Sequence, residues 1–155
     1  MIIRRAEPRD ADQMAAILNR IIAIGGTTAH ETPMSGADVR RHFIDGPDCL
    51  TAVVAQLEET VIGWQAIGWW RGEAHIGSFV DPESHARGTG TAMFENTLSL
   101  AREAGLTEIH ASIRADNVPG LAYYARIGFT DHSSDPGFAL KDGTVVGRIN
   151  RVFHP

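Results

Sequence analysis

Apolar residues recur every three or four positions in four segments of the chain, which is the spacing of an amphipathic helix. The four segments are residues 10–24, a short stretch that follows Ser35, residues 88–104 and residues 119–127. Ser35 has the side chain of a helix N-cap, and Gly105 stands where a glycine commonly ends a helix. The pattern therefore predicts four helices.

Segments rich in β-branched and aromatic residues lie between these helices and predict strands. The predicted strands are residues 2–5, 50–57, 60–70, 74–81 and 108–114, a strand at Phe129, and residues 145–153. Only short turns separate the second, third and fourth strands, which indicates two hairpins. The element order is β-α-α-β-β-β-α-β-α-β-β, so we expect a single α/β domain over residues 1–155, built around one mixed sheet.

The composition agrees with one domain and argues against several kinds of partner. The chain has 155 residues, 43% of them apolar, enough for one hydrophobic core. Its formal net charge is −5 and it contains no basic block, so we expect no nucleic-acid partner. No segment approaches the roughly 18 apolar residues of a membrane span. The single cysteine, Cys49, cannot form an internal disulfide, and we expect a cytoplasmic protein that does not bind membranes.

A glycine-rich segment over residues 84–94 joins a predicted strand to a predicted helix. Free backbone amides at a helix N-terminus bind anions, and Gly88 and Gly90 let an oxyanion approach closely. Arg87 adds a charged donor and Thr91 adds a hydroxyl. A tight turn without a ligand is the alternative explanation. The lysine of a P-loop and the third glycine of a dinucleotide-binding fingerprint are both missing.

A second pattern, Asn117 followed by Tyr124-x-Arg126-x-Gly128-Phe129, comes about thirty residues later. Together with Val80-x-Pro82 and His85-x-Arg87-Gly88-x-Gly90, it resembles the GNAT superfamily of acyl-CoA-dependent N-acetyltransferases. The opening Met1-Ile2-Ile3-Arg4-x-Ala6 and the loop ending in Thr32-Pro33 resemble the phosphinothricin acetyltransferase branch, which acetylates small amino-acid-like amines. The resemblance implies a mostly antiparallel sheet of about seven strands, splayed between strands four and five, with four helices.

The resemblance also implies a binding site for acetyl-CoA. The pyrophosphate would lie on the amides of residues 87–91, and the pantetheine would pair with the backbone of the fourth strand. The residues assigned to acetyl-CoA in this way are Phe79, Val80, His85, Arg87, Gly88, Thr89, Gly90, Thr91, Asn117 and Tyr124. For Asn117, capping of its own helix is an equally good explanation. No metal site is expected.

Transfer of an acetyl group to an amine requires a base and an acid, because the amine must be neutral and the leaving thiolate needs a proton. The resemblance assigns the acid to Tyr124, with a packing role as the alternative. Many similar enzymes carry a glutamate at or beside the position of His75, so His75 is the predicted base. Its unperturbed pKa of about 6.5 suits this task. Glu73 is the alternative base, and a purely structural role for His75 also remains open.

The acceptor is expected to be a small primary amine that attacks the thioester directly in a ternary complex. The loop between the first two helices would contact it, and the residues assigned to the acceptor are Thr28, His30, Glu31 and Arg71. For Arg71, a solvent-exposed arginine of the hairpin is the alternative. A homodimer that uses the last strands is a further expectation from the resemblance. The alternative function is a non-catalytic domain that binds an acyl-CoA as a sensor or scaffold.

Overall fold

Seven strands form one mixed sheet in the computed structural model, which describes residues 1–155. They are β1 (Ile2–Arg5), β2 (Cys49–Leu57), β3 (Thr60–Trp70), β4 (Glu73–Val80), β5 (Ile109–Arg114), β6 (Thr130–Ala139) and β7 (Val145–Phe153). Their order across the sheet is β1-β2-β3-β4-β5-β7-β6, and every neighbouring pair is antiparallel except β4 and β5. The predicted fold class is therefore confirmed.

Four α-helices accompany the sheet where the apolar spacing predicts them. They are α1 (Ala11–Ile24), α2 (Gly36–Val39), α3 (Thr89–Glu103) and α4 (Val118–Arg126). Ser35 caps α2, because its hydroxyl accepts the amide of Asp38 at 3.1 Å, and a π-helical turn over Arg40–Ile44 continues the segment. Gly105 follows α3 with a φ of 74°, which glycine adopts without strain. None of the helices combines the length and the apolar character that crossing a bilayer requires.

The helices pack on both faces of the sheet, so the sheet separates the hydrophobic core into two layers. On the first face, α1 packs Met14 and Leu18 against Trp64 of β3, and the Trp64 indole donates to the Met14 carbonyl at 3.0 Å. On the second face, Phe94 of α3 and Tyr124 of α4 pack against β4 and β5. Complete burial of a side chain such as Leu18 contributes about 1.5–3 kcal/mol. The two layers therefore hold the central strands from both sides.

The parallel strands β4 and β5 are paired at one point only. This pairing joins His75 to His110, whereas the other edge of β4 pairs with β3 along its full length, from Glu73 to Val80. Beyond His75 the two strands separate, which confirms the predicted splay between strands four and five. The backbone of β4 that faces the gap is left without a strand partner.

The edge strand β6 is longer than the sequence pattern indicates. The strand predicted at Phe129 is observed one residue later, since β6 begins at Thr130 and the buried Phe129 directly precedes it. The residues from Thr130 to Gly137 are all exposed. An exposed edge strand needs no apolar alternation and tolerates a proline such as Pro136. Apolar alternation and the absence of proline, the usual sequence signals of a strand, therefore do not identify β6.

Candidate active site

The separation of β4 and β5 opens a cleft of about 710 Å³ that passes through the sheet. On the first face, the loop after α1 borders it with Thr28 and His30. On the second face, its walls include Tyr123 and Tyr124 of α4. Two ligands that enter from opposite faces can therefore meet between the strands.

The glycine-rich turn lies at the end of β4 and leads into α3. Its start is held by an ion pair between Arg20 Nη2 of α1 and Asp81 Oδ2, at 2.8 Å. Gly88 has a φ of 74°, and its carbonyl accepts the amide of Ala92 at 3.0 Å. The amides of residues 87–91 have no partner within the chain, so they are free to bind a ligand. The exposed side chains beside them belong to His85, Arg87 and Thr91.

Gly90 is required for a close contact as well as for access to the backbone. A Cβ at this position would lie 2.7 Å from the ring of Tyr123. The Tyr123 hydroxyl donates to the Gly90 carbonyl at 2.8 Å and accepts from Gln65 Nε2 at 3.0 Å. Tyr123 therefore braces the turn through its hydroxyl and through the contact of its ring with Gly90.

Tyr124 lines the cleft and is buried, with 8% of its surface exposed. Its hydroxyl is 2.9 Å from Ser78 Oγ, and Ser78 Oγ also accepts from Gln65 Nε2 at 2.8 Å. Burial raises the pKa of the Tyr124 phenol well above its usual range, so the group stays protonated. Gln65 and Ser78 were missed from sequence. A glutamine inside the apolar run of β3 is the signal that could have identified Gln65, since a polar residue there must find buried partners.

Asn117 shows the capping role that its sequence context suggested. Its Oδ1 accepts the amide of Gly120 at 3.0 Å, and its Nδ2 donates to the Thr27 carbonyl at 3.0 Å. Arg114 of β5 makes a similar bond, from Nη1 to the Thr28 carbonyl at 3.0 Å. The two side chains thus fasten the loop after α1 across the cleft.

Of the four residues that the resemblance assigned to the acceptor, Thr28 and His30 line the cleft, whereas Glu31 and Arg71 lie outside its walls. The His30 ring packs near Phe79, with 6.4 Å between centroids. Glu31 accepts the amide of Lys141 at 3.1 Å, which ties the loop to the β6–β7 turn. Thr28 supplies the carbonyl bound by Arg114. The Arg71 guanidinium stacks over the Trp70 ring at 4.2 Å, at the exposed end of the β3–β4 hairpin.

Glu73 lies between two imidazoles where β4 meets β5. Its carboxylate is 3.4 Å from His75 Nε2 and 3.2 Å from His110 Nδ1, and His110 Nε2 is 2.9 Å from Glu108. Burial lowers the pKa of His75 more than the nearby Glu73 carboxylate raises it. The Trp70 ring packs edge-on against His75, with 4.8 Å between centroids. Both predicted bases therefore lie at the base of the splay, beside an aromatic wall.

Comparisons with known proteins found relatives that are named as acetyltransferases. YwnH from Bacillus subtilis strain 168, assigned as a phosphinothricin acetyltransferase, is 27% identical over 150 residues, which cover 92% of each chain. An L-2,4-diaminobutyric acid acetyltransferase from Nocardia farcinica is 32% identical over 82 residues, 50% of this chain and 42% of that protein.

A solved structure provides the same fold. YncA from Salmonella typhimurium, assigned as an acetyltransferase and solved with its cofactor acetyl-CoA, superimposes with a TM-score of 0.84 over 99% of this chain and 93% of its own. At 18% identity this likeness concerns the fold alone.

The match to the acetyltransferase (GNAT) family covers residues 19–129. It includes both the turn that carries Gly88 and Gly90 and the helix that carries Tyr124. The similarity to YwnH over nearly the whole length agrees with the resemblance to the phosphinothricin acetyltransferase branch. The splayed strands, the glycine-rich turn and the matched region together establish that this chain is an acetyltransferase of the GNAT family.

Proposed function

We propose that the chain transfers the acetyl group of acetyl-CoA to the primary amine of a small amino-acid-like molecule. The observation that carries the proposal is the cleft through the splayed sheet, which has a buried phenol in its wall and is connected through Tyr123 to a turn with free backbone amides. Such a cleft suits a ternary complex, because the thioester and the amine enter from opposite faces and react directly.

The acetyl-CoA site follows from the free backbone groups. The pyrophosphate would accept bonds from the amides of residues 87–91, with the Arg87 and His85 side chains beside it. The buried Thr89 would contribute its amide, since its hydroxyl is turned toward the Ala86 carbonyl at 3.5 Å. The pantetheine would pair with the backbone of Phe79 and Val80, where β4 has no partner strand. Asn117 would line this path while capping α4.

Catalysis requires one bond to form and one to break. The neutral amine attacks the thioester carbonyl carbon, the new C–N bond forms, and the C–S bond breaks to release the thiolate of CoA. Tyr124 gives its proton to the thiolate, and Ser78 can stabilise the phenol oxygen. His75 removes the amine proton, because its lowered pKa keeps the imidazole neutral near pH 7. Glu73 is the second candidate for the base.

The names of two relatives suggest the first acceptors to test. Phosphinothricin and 2,4-diaminobutyric acid, for which those relatives are named, are both small amino acids. We propose the same kind of substrate for this chain. Thr28, His30 and Glu31 would shape the acceptor side through the fastened loop, and Arg71 would add a positive charge. We also propose a cytoplasmic location and a homodimer in which the exposed edge of β6 takes part.

Release of free CoA thiol tests the proposal directly. The protein is mixed with acetyl-CoA and either amino acid, and the acetylated product is identified by mass spectrometry. We expect thiol release that depends on the amine. If acetyl-CoA binds but no amine in a wider panel of amino acids and polyamines is acetylated, the chain is a non-catalytic acyl-CoA-binding domain instead.

Replacement of Gly90 by alanine should weaken acetyl-CoA binding. The new methyl group would force the Tyr123 ring to move and would break its bond to the turn, so calorimetry should show an affinity lower by about tenfold or more, equivalent to one lost hydrogen bond. Gly105→Ala is the control, because Gly105 lies just beyond the far end of α3, and its positive φ, which Gly90 does not share, makes this substitution a test of general strain away from the turn. Equal affinities for the Gly90 variant and the wild type would show that the turn does not bind the cosubstrate.

Tyr124→Phe should reduce turnover by about 10²-fold and change acetyl-CoA affinity little, because the proton is needed mainly in the transition state. Tyr123→Phe is the informative comparison. It should raise the KM for acetyl-CoA instead, since it removes the brace of the Gly90 carbonyl. Steady-state kinetics separate the two effects, and an unchanged kcat in the Tyr124 variant would leave that residue with a packing role.

The pH profile should identify the base. If His75 accepts the amine proton, kcat/KM should rise with pH through an ionisation below about 6.5, because burial lowers its pKa and only the neutral imidazole is active. His75→Ala should remove this limb. Two acceptors of different basicity distinguish it from ionisation of the amine, whose midpoint changes with the substrate. A limb that persists in the alanine variant and disappears in Glu73→Gln would assign the base to Glu73.

A further inference from the structure

Arg148 of β7 is a half-buried cation in the wall of the cleft. Its guanidinium lies over two aromatic rings, 4.1 Å from the centroid of Phe138 and 5.5 Å from that of Trp70. Two other arginines on β5 and β7 form ion pairs with carboxylates, Arg114 with Asp116 at 2.7 Å and Arg151 with Asp131 at 2.9 Å. Arg148 instead contacts the faces of aromatic rings, which accept no N–H bond of its planar guanidinium edge. Its N–H donors therefore remain available to a ligand.

A second cation shares the same indole. The Arg71 guanidinium stacks over Trp70 at 4.2 Å. Burial lowers the pKa of Arg148, the charge of Arg71 lowers it further, and Asp135 opposes both effects. The Asp135 carboxylate also accepts from Asn150 Nδ2 at 3.3 Å. Arg71 and Arg148 therefore repel each other across the Trp70 ring, and an anion bound by both would relieve this repulsion.

Ser112 supplies an unsatisfied polar group in the same cleft. Its Oγ is buried and has no hydrogen-bond partner within the chain. A buried hydroxyl without a partner is costly, so a ligand that bonds to it gains a favourable contact. In the sheet, Ser112 pairs with Asn150 and Arg114 pairs with Arg148, which places Ser112 diagonally next to Arg148 on two adjacent strands.

We propose that Arg148 selects an acceptor that carries a carboxylate, assisted by the charge of Arg71 and the hydroxyl of Ser112. The inference rests on the proposed function and assigns specificity within it. Trp70 connects the two parts of the site, because it touches Arg148 through its face and packs against the predicted base His75. A compact amino acid can thus bind its carboxylate at Arg148 while its amine lies toward His75. Simple polyamines lack the anion and have additional positive charge.

A pair of acceptors that differ only in the carboxylate tests the proposal. The probes are 2,4-diaminobutyric acid and 1,3-diaminopropane, and the wild type should have the higher kcat/KM for the amino acid. In Arg148→Met the ratio of the two kcat/KM values should fall by about 30-fold, the effect of losing one charged hydrogen-bonded contact. Arg102→Met is the matched control, because Arg102 is exposed on α3. Arg148→Lys keeps the charge without the planar fork and should give a smaller fall.

Binding measured without turnover separates this inference from the proposed function. Calorimetry with CoA present and 2,4-diaminobutyric acid or phosphinothricin as titrant should show binding by the wild type that is lost in Arg148→Met. Binding that depends on Arg148 without any thiol release would support the carboxylate site and contradict the acetyltransfer to these amines. If thiol is released but the ratio of the kcat/KM values for the two acceptors is unchanged in Arg148→Met, the role of Arg148 is contradicted and the acetyltransfer is supported.

Two further results would count against the carboxylate site. One is the absence of binding of both amino acids to the wild type, and the other is equal affinity of the wild type and Arg148→Met. Circular dichroism checks that each variant is folded. If the methionine variant does not fold, Arg148→Lys and Ser112→Ala serve in its place, and unchanged binding in both of them would overturn the proposal.

Discussion

The single pairing between His75 of β4 and His110 of β5 is the constraint on which the site depends. Parallel strands normally continue their hydrogen bonds along both edges, and here the bonds stop after one position. The β4 strand is held in place because β3 pairs with its other edge from Glu73 to Val80, and packed helices support it from both faces. A gap is thus present inside the sheet, while β4, which forms one wall of the gap, remains paired with β3.

A chain of hydrogen bonds connects the two ends of this gap. It runs from the Gly90 carbonyl through Tyr123 and Gln65 to Ser78, and from Ser78 to the phenol of Tyr124. The turn proposed to hold the pyrophosphate and the phenol proposed to protonate the thiolate are therefore held by one buried network. Such networks position side chains closely because each unmade bond in a buried setting is costly.

The two sides of the cleft differ in chemistry. The α4 side has neutral hydroxyls and amides, and burial there raises the pKa of Tyr124. The side under the loop after α1 has ionisable groups, with Glu73 between the imidazoles of His75 and His110, and with arginines on the Trp70 ring. A thioester reacting through this cleft would meet a proton donor on one side and proton acceptors with positive charge on the other. This arrangement matches transfer to an amine that also carries an anion.

The sequence alone was sufficient to predict the element order, the four helices and the glycine-rich turn, because these depend on local spacing and on short motifs. A short motif also indicated Tyr124, which lines the cleft, and its role as an acid stays a prediction. It was not sufficient for β6, since an exposed edge strand needs no apolar alternation. The partners within the site were decided only by the tertiary structure. Gln65, Ser78, Ser112 and Arg148 are separated along the chain and match no motif. Their roles come from the splay of two strands, which leaves polar groups buried at the cleft, and this is a property of the whole sheet rather than of any one segment.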